Sequence, residues 1–484
     1  MIQAEPESFA NERKSHAQTL MFRTQSKKDR ANLHKHRFVI LCLLFAQGFW
    51  ANSRAAERFT YFDVNDVGNT TNKFQRIKPW KVVYLDAEYG GQWVIAGDVN
   101  GDGRVEIISA ENVNQDDIHY TSTAVAQKLD GSVLWRWGNP NIGRKMWHHD
   151  VACQIYDWDG DGQQEVIVCA KGYLVELNGS SGQERRRIQI NEEATDCLVF
   201  CNLSGGRHPR DVLVKTRYGQ IWAYNYEGKL LWMVLDPAGY RTAHQPRPID
   251  IDGDGRDEIM AGYALLNPDG TLRWVLQSEQ VKQKAGHLDC CRVVREGKRP
   301  EDFRLALTCC GANGIAMVDG TGKTLWEVSG HHFESVDVGK VMPDYPGKQL
   351  VVDIDHQPFG NGPLWVLDEQ GKLLGRIITE YSRHHCLLDW NGDGIDEILV
   401  GDNGAIYDYQ GKHIAVLAAP KAGEDEAEDE KAAERSILTG DIDGDKICDV
   451  LLVTTKAVFI FRNEKGHRSK EPFHLGTENN LTLY

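Results

Sequence analysis

The chain has almost no helical periodicity, a deficit of positive charge, and only one apolar run of any length. The first shortage leaves the core to strands. The second, 70 Asp and Glu against 55 Lys and Arg for a formal charge of −15, argues against nucleic acid as a partner. The apolar run, FVILCLLFAQGFW at 38–50, is too short to cross a bilayer comfortably, and no other stretch reads as a membrane span. It follows a polar, basic stretch and precedes ANSRAAE. That is the layout of a secretory signal, with Ser53 and Ala55 ahead of a cleavage point. The expectation is a secreted or periplasmic protein in which residues 1–56 are extension and signal peptide, with no stable membrane span after cleavage. An uncleaved anchor and a start at Met21 are the alternatives. What the chain does have is 47 glycines in 484 residues and a 41% hydrophobic content, enough for many turns around a packed core.

An internal repeat organises the rest. GDVNGDGRVEIIS, YDWDGDGQQEVIV, IDIDGDGRDEIMAG, LDWNGDGIDEILVG and GDIDGDKICDVLLV share D-x-[DN]-x-D-x-x-x-[DE]. Four carry Gly after the third acid, and the last has Lys446 there. Each copy is flanked by apolar strands. Further on come turns at Asp130-Gly131, Glu227-Gly228, Asp269-Gly270 and Asp319-Gly320, then Trp135, Trp232, Trp274 and Trp326. Three more units keep the strands without the full acidic loop. Four short strands per unit at this spacing predict an all-β fold, a β-propeller of eight blades, with seven as the alternative. Residues 57–90 would close or cap the ring, 91–484 would form the propeller, and 421–435 would be an acidic insertion.

Clustered carboxylates repel unless a cation sits between them. Oxygen ligands at alternate positions suit a hard ion, calcium before magnesium. The ligand sets are Asp98, Asn100, Asp102, Glu106; Asp157, Asp159, Asp161, Glu165; Asp250, Asp252, Asp254, Glu258; Asp389, Asn391, Asp393, Glu397; and Asp441, Asp443, Asp445, Asp449. They resemble the calcium turns of integrin-type FG-GAP propellers. A structural ion between first and second strands is expected, with solvated acidic turns as the alternative.

In an antiparallel blade those turns lie at one end. The lead-in to the first strand and the second-to-third turn lie at the other. The lead-ins carry His148, His149, Tyr240, His244, Arg247, His287, His332 and His385, and the second-to-third turns carry Lys215, Arg217 and Tyr218. A single such His reads as a hydrogen-bonded strut, but five units with His at matching points read as a cationic face for an acidic polysaccharide. Breaking a 4-linked uronate chain by β-elimination requires neutralising the carboxylate, removing the C5 proton and protonating the leaving oxygen, work for Arg, His and Tyr.

The calcium loops, VKTRYGQIWAYN and the paired histidines together resemble secreted propeller-type polysaccharide lyases. These include the rhamnogalacturonan lyases, with eight calcium-rich blades, and the ulvan lyases, which use His, Tyr and Arg. The resemblance covers about 90–467. It implies that His149 and His244 are catalytic or carboxylate-facing, Tyr218 the acid/base, and Arg217 and Lys215 carboxylate binders. The N-terminal β-domain of rhamnogalacturonan lyases has no counterpart in the given sequence. A non-catalytic FG-GAP propeller binding glycan or protein is one alternative. A glycosidase on a rhamnose–uronate linkage is another, with Asp353 and Asp355 as the carboxylate pair. Cysteines 153 and 169, and 290/291 with 309/310, sit symmetrically about turns. They allow cross-strand disulfides, buried thiols, or a zinc site using His287 and a nearby Cys. Nothing in the sequence sets the oligomeric state.

Overall fold

Strand-forming runs of Val, Ile and Leu, each ended by a Gly-bearing turn, fold into eight antiparallel meanders among the described residues. The computed structural model describes residues 62–65 and 74–469, apart from 92, 116–117, 143–151, 195–196, 356–362, 380–383, 420–435 and 455. The expected signal peptide, the acidic insertion, His148 and His149 lie outside these residues. The blades span 93–138, 153–189, 197–235, 247–275, 290–329, 332–378, 385–417 and 436–461, the last taking its outer strand from Lys81–Tyr84. The count of eight therefore holds.

Closure is visible in the apolar packing. One buried cluster fills each junction between successive blades. The eighth joins Leu438, Leu451 and Ile460 of the last blade to Val94, Ala96 and Ile107 of the first. Residues 57–90 do more than close the ring. Before Lys81–Tyr84 pairs with Ala457–Phe461, Phe62–Asn65 adds in parallel to the outer strand of the sixth blade and Arg76–Ile77 to that of the seventh. The segment thus binds the outer edges of three consecutive blades and covers edge strands that would otherwise be open to pairing.

The repeated tryptophans form the second fastening between blades. Trp135 Nε1 donates to the Gly179 carbonyl of the next blade at 2.7 Å. Its ring lies where a Cβ on Gly182 would stand 2.6 Å away. Trp232, Trp274 and Trp326 repeat this donation onto the Pro268, Gly320 and Glu369 carbonyls.

The register corrects the cysteine pairing. Cys153 opposes Val168 rather than Cys169, and Cys290 and Cys291 oppose Thr308 and Leu307. An offset of one residue sends neighbouring side chains to opposite faces. Accordingly Cys153 packs toward the first blade and Cys169 toward the third. All ten cysteines among the described residues are free thiols. Burial pushes those of Cys153 and Cys291 up to about 12.

Candidate functional site

All five acidic loops fold alike, between the first and second strands of their blades. The leading Asp accepts from three amides further on: Asp98 from Gly101, Asp102 and Gly103, and Asp250 from Gly253, Asp254 and Gly255, at 2.8–3.1 Å. The closing acid reaches back to the amide of position two, as Glu106 does to Val99 and Glu397 to Trp390. In the last loop Lys446 occupies the glycine position at φ 67° and still donates to Asp441 at 2.9 Å. A side chain in the left-handed region costs about 1 kcal/mol or more. Lys446→Gly is therefore expected to raise unfolding stability by about 1 kcal/mol, measured by chemical denaturation.

Position three divides the loops. Where it is Asn, its amide donates to the closing acid, Asn100 to Glu106 at 2.9 Å and Asn391 to Glu397. Where it is Asp, an arginine comes in. Arg185 bonds Asp159 and Glu165, Arg273 bonds Asp252 at 2.8 Å and Glu258 at 2.6 Å, and Arg462 bonds Asp443 at 2.8 Å. The chain itself therefore supplies part of the positive charge in three loops. The closing acids remain electrostatically uneasy. Burial first, and the neighbouring carboxylates after it, push Glu106, Glu165, Glu397 and Asp449 up to about 7. Oxygens converging within 4.8 Å in the sets Asp157/Asp159/Glu165, Asp250/Asp252/Asp254 and Asp441/Asp443/Asp445 fit a hard cation.

At the opposite ends of the blades a second constellation forms. Tyr218 stands in the turn between Asp211–Lys215 and Gln220–Tyr224, and His244 in the lead-in to Arg247–Ile249. The two segments are tied by Thr242 N donating to the Tyr218 carbonyl at 2.8 Å. This brings Tyr218 Oη to 3.3 Å from His244 Nε2. His287 packs on the same ring, 4.6 Å between centroids. The guanidinium carbons of Arg217 and Arg241 lie 5.0 and 5.7 Å from the phenol's centroid, in reach of an incoming anion and of charge developing on the phenol oxygen. His244 Nε2 and His287 Nε2 lie 3.6 and 2.9 Å from Asp289 Oδ1. Both atoms of that buried carboxylate lack a well-formed hydrogen bond, so its closeness to the imidazoles is one of position rather than hydrogen-bond alignment. His244, His287 and Asp289 are also placed to hold a metal ion.

The other expected residues divide by environment. His332 joins this face through Cys310 and Glu334. Lys215 is fully enclosed beneath the Tyr218 turn, its ammonium donating to the Arg217 carbonyl. His385 is a strut: Nδ1 meets Ser335 Oγ at 3.3 Å and Nε2 the Val351 carbonyl at 3.1 Å. Tyr240 packs edge-on to Tyr263, 5.5 Å between centroids. Arg247 opens the first strand of the fourth blade, half-buried. Asp353 is buried and accepts from Ser335 N and Oγ at 2.6 and 2.9 Å, which makes it a core strut rather than half of a hydrolytic carboxylate pair. Three members were not singled out as site residues from sequence: Asp289, Cys310 and Glu334. The signal for two of them was present as His-x-Asp at 287–289 and His-x-Glu at 332–334, since positions two apart on an extended chain share a face.

A family profile described as "Rhamnogalacturonan lyase family 11, C-terminal domain" matches residues 203–469. Two proteins of Bacillus subtilis (strain 168) are similar. Rhamnogalacturonan endolyase YesW is 26% identical over 395 residues, covering 66% of this chain and 59% of the relative. Rhamnogalacturonan exolyase YesX is 26% identical over 385 residues, covering 65% and 60%. The chain thus spans about three fifths of the length of these curated relatives. Among solved structures, that of YesW superposes with a TM-score of 0.57 at 21% identity, covering 81% of this chain and 73% of that one. The rhamnogalacturonan lyase of Bacillus licheniformis gives 0.58 at 19% identity, covering 85% and 81%. At these identities the superpositions establish the shared propeller fold.

Proposed function

We propose that this chain, which belongs to rhamnogalacturonan lyase family 11 by its C-terminal domain, cuts an acidic polysaccharide of the rhamnogalacturonan class by β-elimination. The observation that carries the reading is the Tyr218–His244 contact of 3.3 Å, flanked by two arginines on the face opposite the acidic loops. In the reaction a base removes the proton at C5 of the uronate. The electron pair forms the C4–C5 double bond, the bond from C4 to the linking oxygen breaks, and an acid protonates that oxygen. Tyr218 is the group placed for the proton exchange. His244 Nε2 receives or returns the phenolic proton, with the Asp289 carboxylate 3.6 Å from that nitrogen. Arg217 and Arg241, beside the phenol ring, offer charge to the uronate carboxylate, which acidifies C5.

Calcium in the five loops is part of the same proposal. Asp98, Asp157, Asp250, Asp389 and Asp441 with their following acids would hold it, and it would supply charge that fixes each first hairpin. Export, proposed from the run at 38–50 and its flanks, would put the enzyme where such polymers and calcium are found. The reading is tested by ultraviolet absorbance of unsaturated uronate ends. Rhamnogalacturonan should give a steady rise, and the same polymer with its carboxyls reduced to alcohols should give none. Cleavage of the reduced polymer at a similar rate would remove the carboxylate from the mechanism.

A further inference from the structure

We infer that Cys310, His332 and Glu334 form a binding site for one thiophilic divalent cation, with zinc as the natural occupant, separate in chemistry and position from the acidic loops. Cys310 sits in the short turn Cys310–Ala312 after the second strand of the fifth blade. His332 and Glu334 are the first and third residues of the first strand of the sixth, and both side chains reach that turn. Cys310 Sγ lies 2.9 Å from His332 Nε2, Glu334 Oε1 lies 2.8 Å from the same nitrogen, and sulfur and carboxylate are 3.9 Å apart.

One imidazole nitrogen carries at most one proton and cannot serve both neighbours as donor. A cation bonded to all three atoms resolves the conflict, because thiolate and carboxylate both bring negative charge and the neutral imidazole a lone pair. Zinc bonds of about 2.3 Å to sulfur and 2.0–2.2 Å to nitrogen and oxygen would set the ligand atoms about 3.3–3.6 Å apart, which small side-chain rotations supply. Cys310 and Glu334 are nearly fully buried while His332 is partly exposed, so the site is closed on the protein side and open toward solvent. The next donor is His287 Nε2, 3.7 Å from the sulfur, and beyond it lie Asp289 and the Tyr218 ring. Three protein donors, one of them partly exposed, make a site open to a further ligand rather than a sealed structural one. The set also differs from the loops in kind: nitrogen and sulfur select a soft ion where an oxygen cage selects calcium. Such an ion would pin the turn of the fifth blade to the first strand of the sixth. The inference stands apart from the lyase reading, since it needs only these side chains.

The test uses the full chain, stripped of metal and titrated with Co2+ alone. A thiolate-to-cobalt charge-transfer band should appear and saturate at roughly one equivalent. It should vanish in Cys310→Ser and persist in Cys448→Ser, whose thiol lies in another blade. His332→Gln should weaken Co2+ binding at least 10-fold, since even a residue that only supports a ligand is worth about 10–100-fold in affinity. It provides a second reading should Cys310→Ser fail to fold. Zinc by mass spectrometry in the untreated protein should follow the same order. No charge-transfer band, or a band unchanged in Cys310→Ser, would overturn the site, whatever the protein's activity on polysaccharide.

Discussion

Replacing Tyr218 by Phe is expected to lower turnover on rhamnogalacturonan by about 10²–10⁴-fold, the range for removing a positioned acid–base group, with KM little changed. The substitution deletes only the oxygen that lies 3.3 Å from His244 Nε2. The ring keeps its packing against His244 and His287. Loss of kcat at constant KM would mark an interaction made during the chemical step. Circular dichroism and melting temperature should match the parent protein. Equal losses in kcat and melting temperature would make Tyr218 a structural residue, and unchanged turnover would remove it from the mechanism.

Removing calcium is expected to act on the fold before it acts on the chemistry. Each ion bound at about 100 times its dissociation constant stabilises by about 2.7 kcal/mol. Five loops therefore imply a fall of about 10 °C or more in Tm on chelation, allowing for the size of the chain. The closing acids give the reason: burial and like charge hold four of them up near 7, an unfavourable state that a bound cation relieves. Well below the melting temperature, turnover per folded molecule should be retained, because the loops stand at the ends of the blades away from Tyr218. Differential scanning calorimetry with and without chelator, with calcium added back, measures the first. Initial rates at low temperature measure the second. A melting curve indifferent to both would mean that Arg185, Arg273, Arg462 and the two asparagines already balance the loops on their own.

Much of this was legible in the sequence because the repeat is local. A loop in which one Asp gathers successive amides demands its acids and glycines at fixed spacing. Each Trp that covers the next blade's turn recurs at the same step, so the number of blades could be read from the chain. Tyr218 and His244 could be placed on one face by counting turns. What could not be read depended on register or on partners in other blades. Cys153 and Cys169 look symmetric about a turn, yet a one-residue offset puts them on different junctions. Lys215 reads as a carboxylate binder, but it ends a strand that is buried along its whole length. Arg185 and Arg273 belong to loops 20 and 15 residues upstream of them, a pairing visible only once the outer strand folds back beside the first hairpin. The parallel additions of Phe62–Asn65 and Arg76–Ile77 to blades more than 300 residues later leave no local trace.

The central claim is that the face bearing Tyr218 breaks a uronate linkage by elimination. The most direct measurement is the mass of the products released from rhamnogalacturonan by the full chain. Elimination gives fragments one water lighter than their hydrolytic counterparts, each with an unsaturated non-reducing end, and that is the expected result. Fragments carrying the added water, or a polymer left intact while bound, would contradict it.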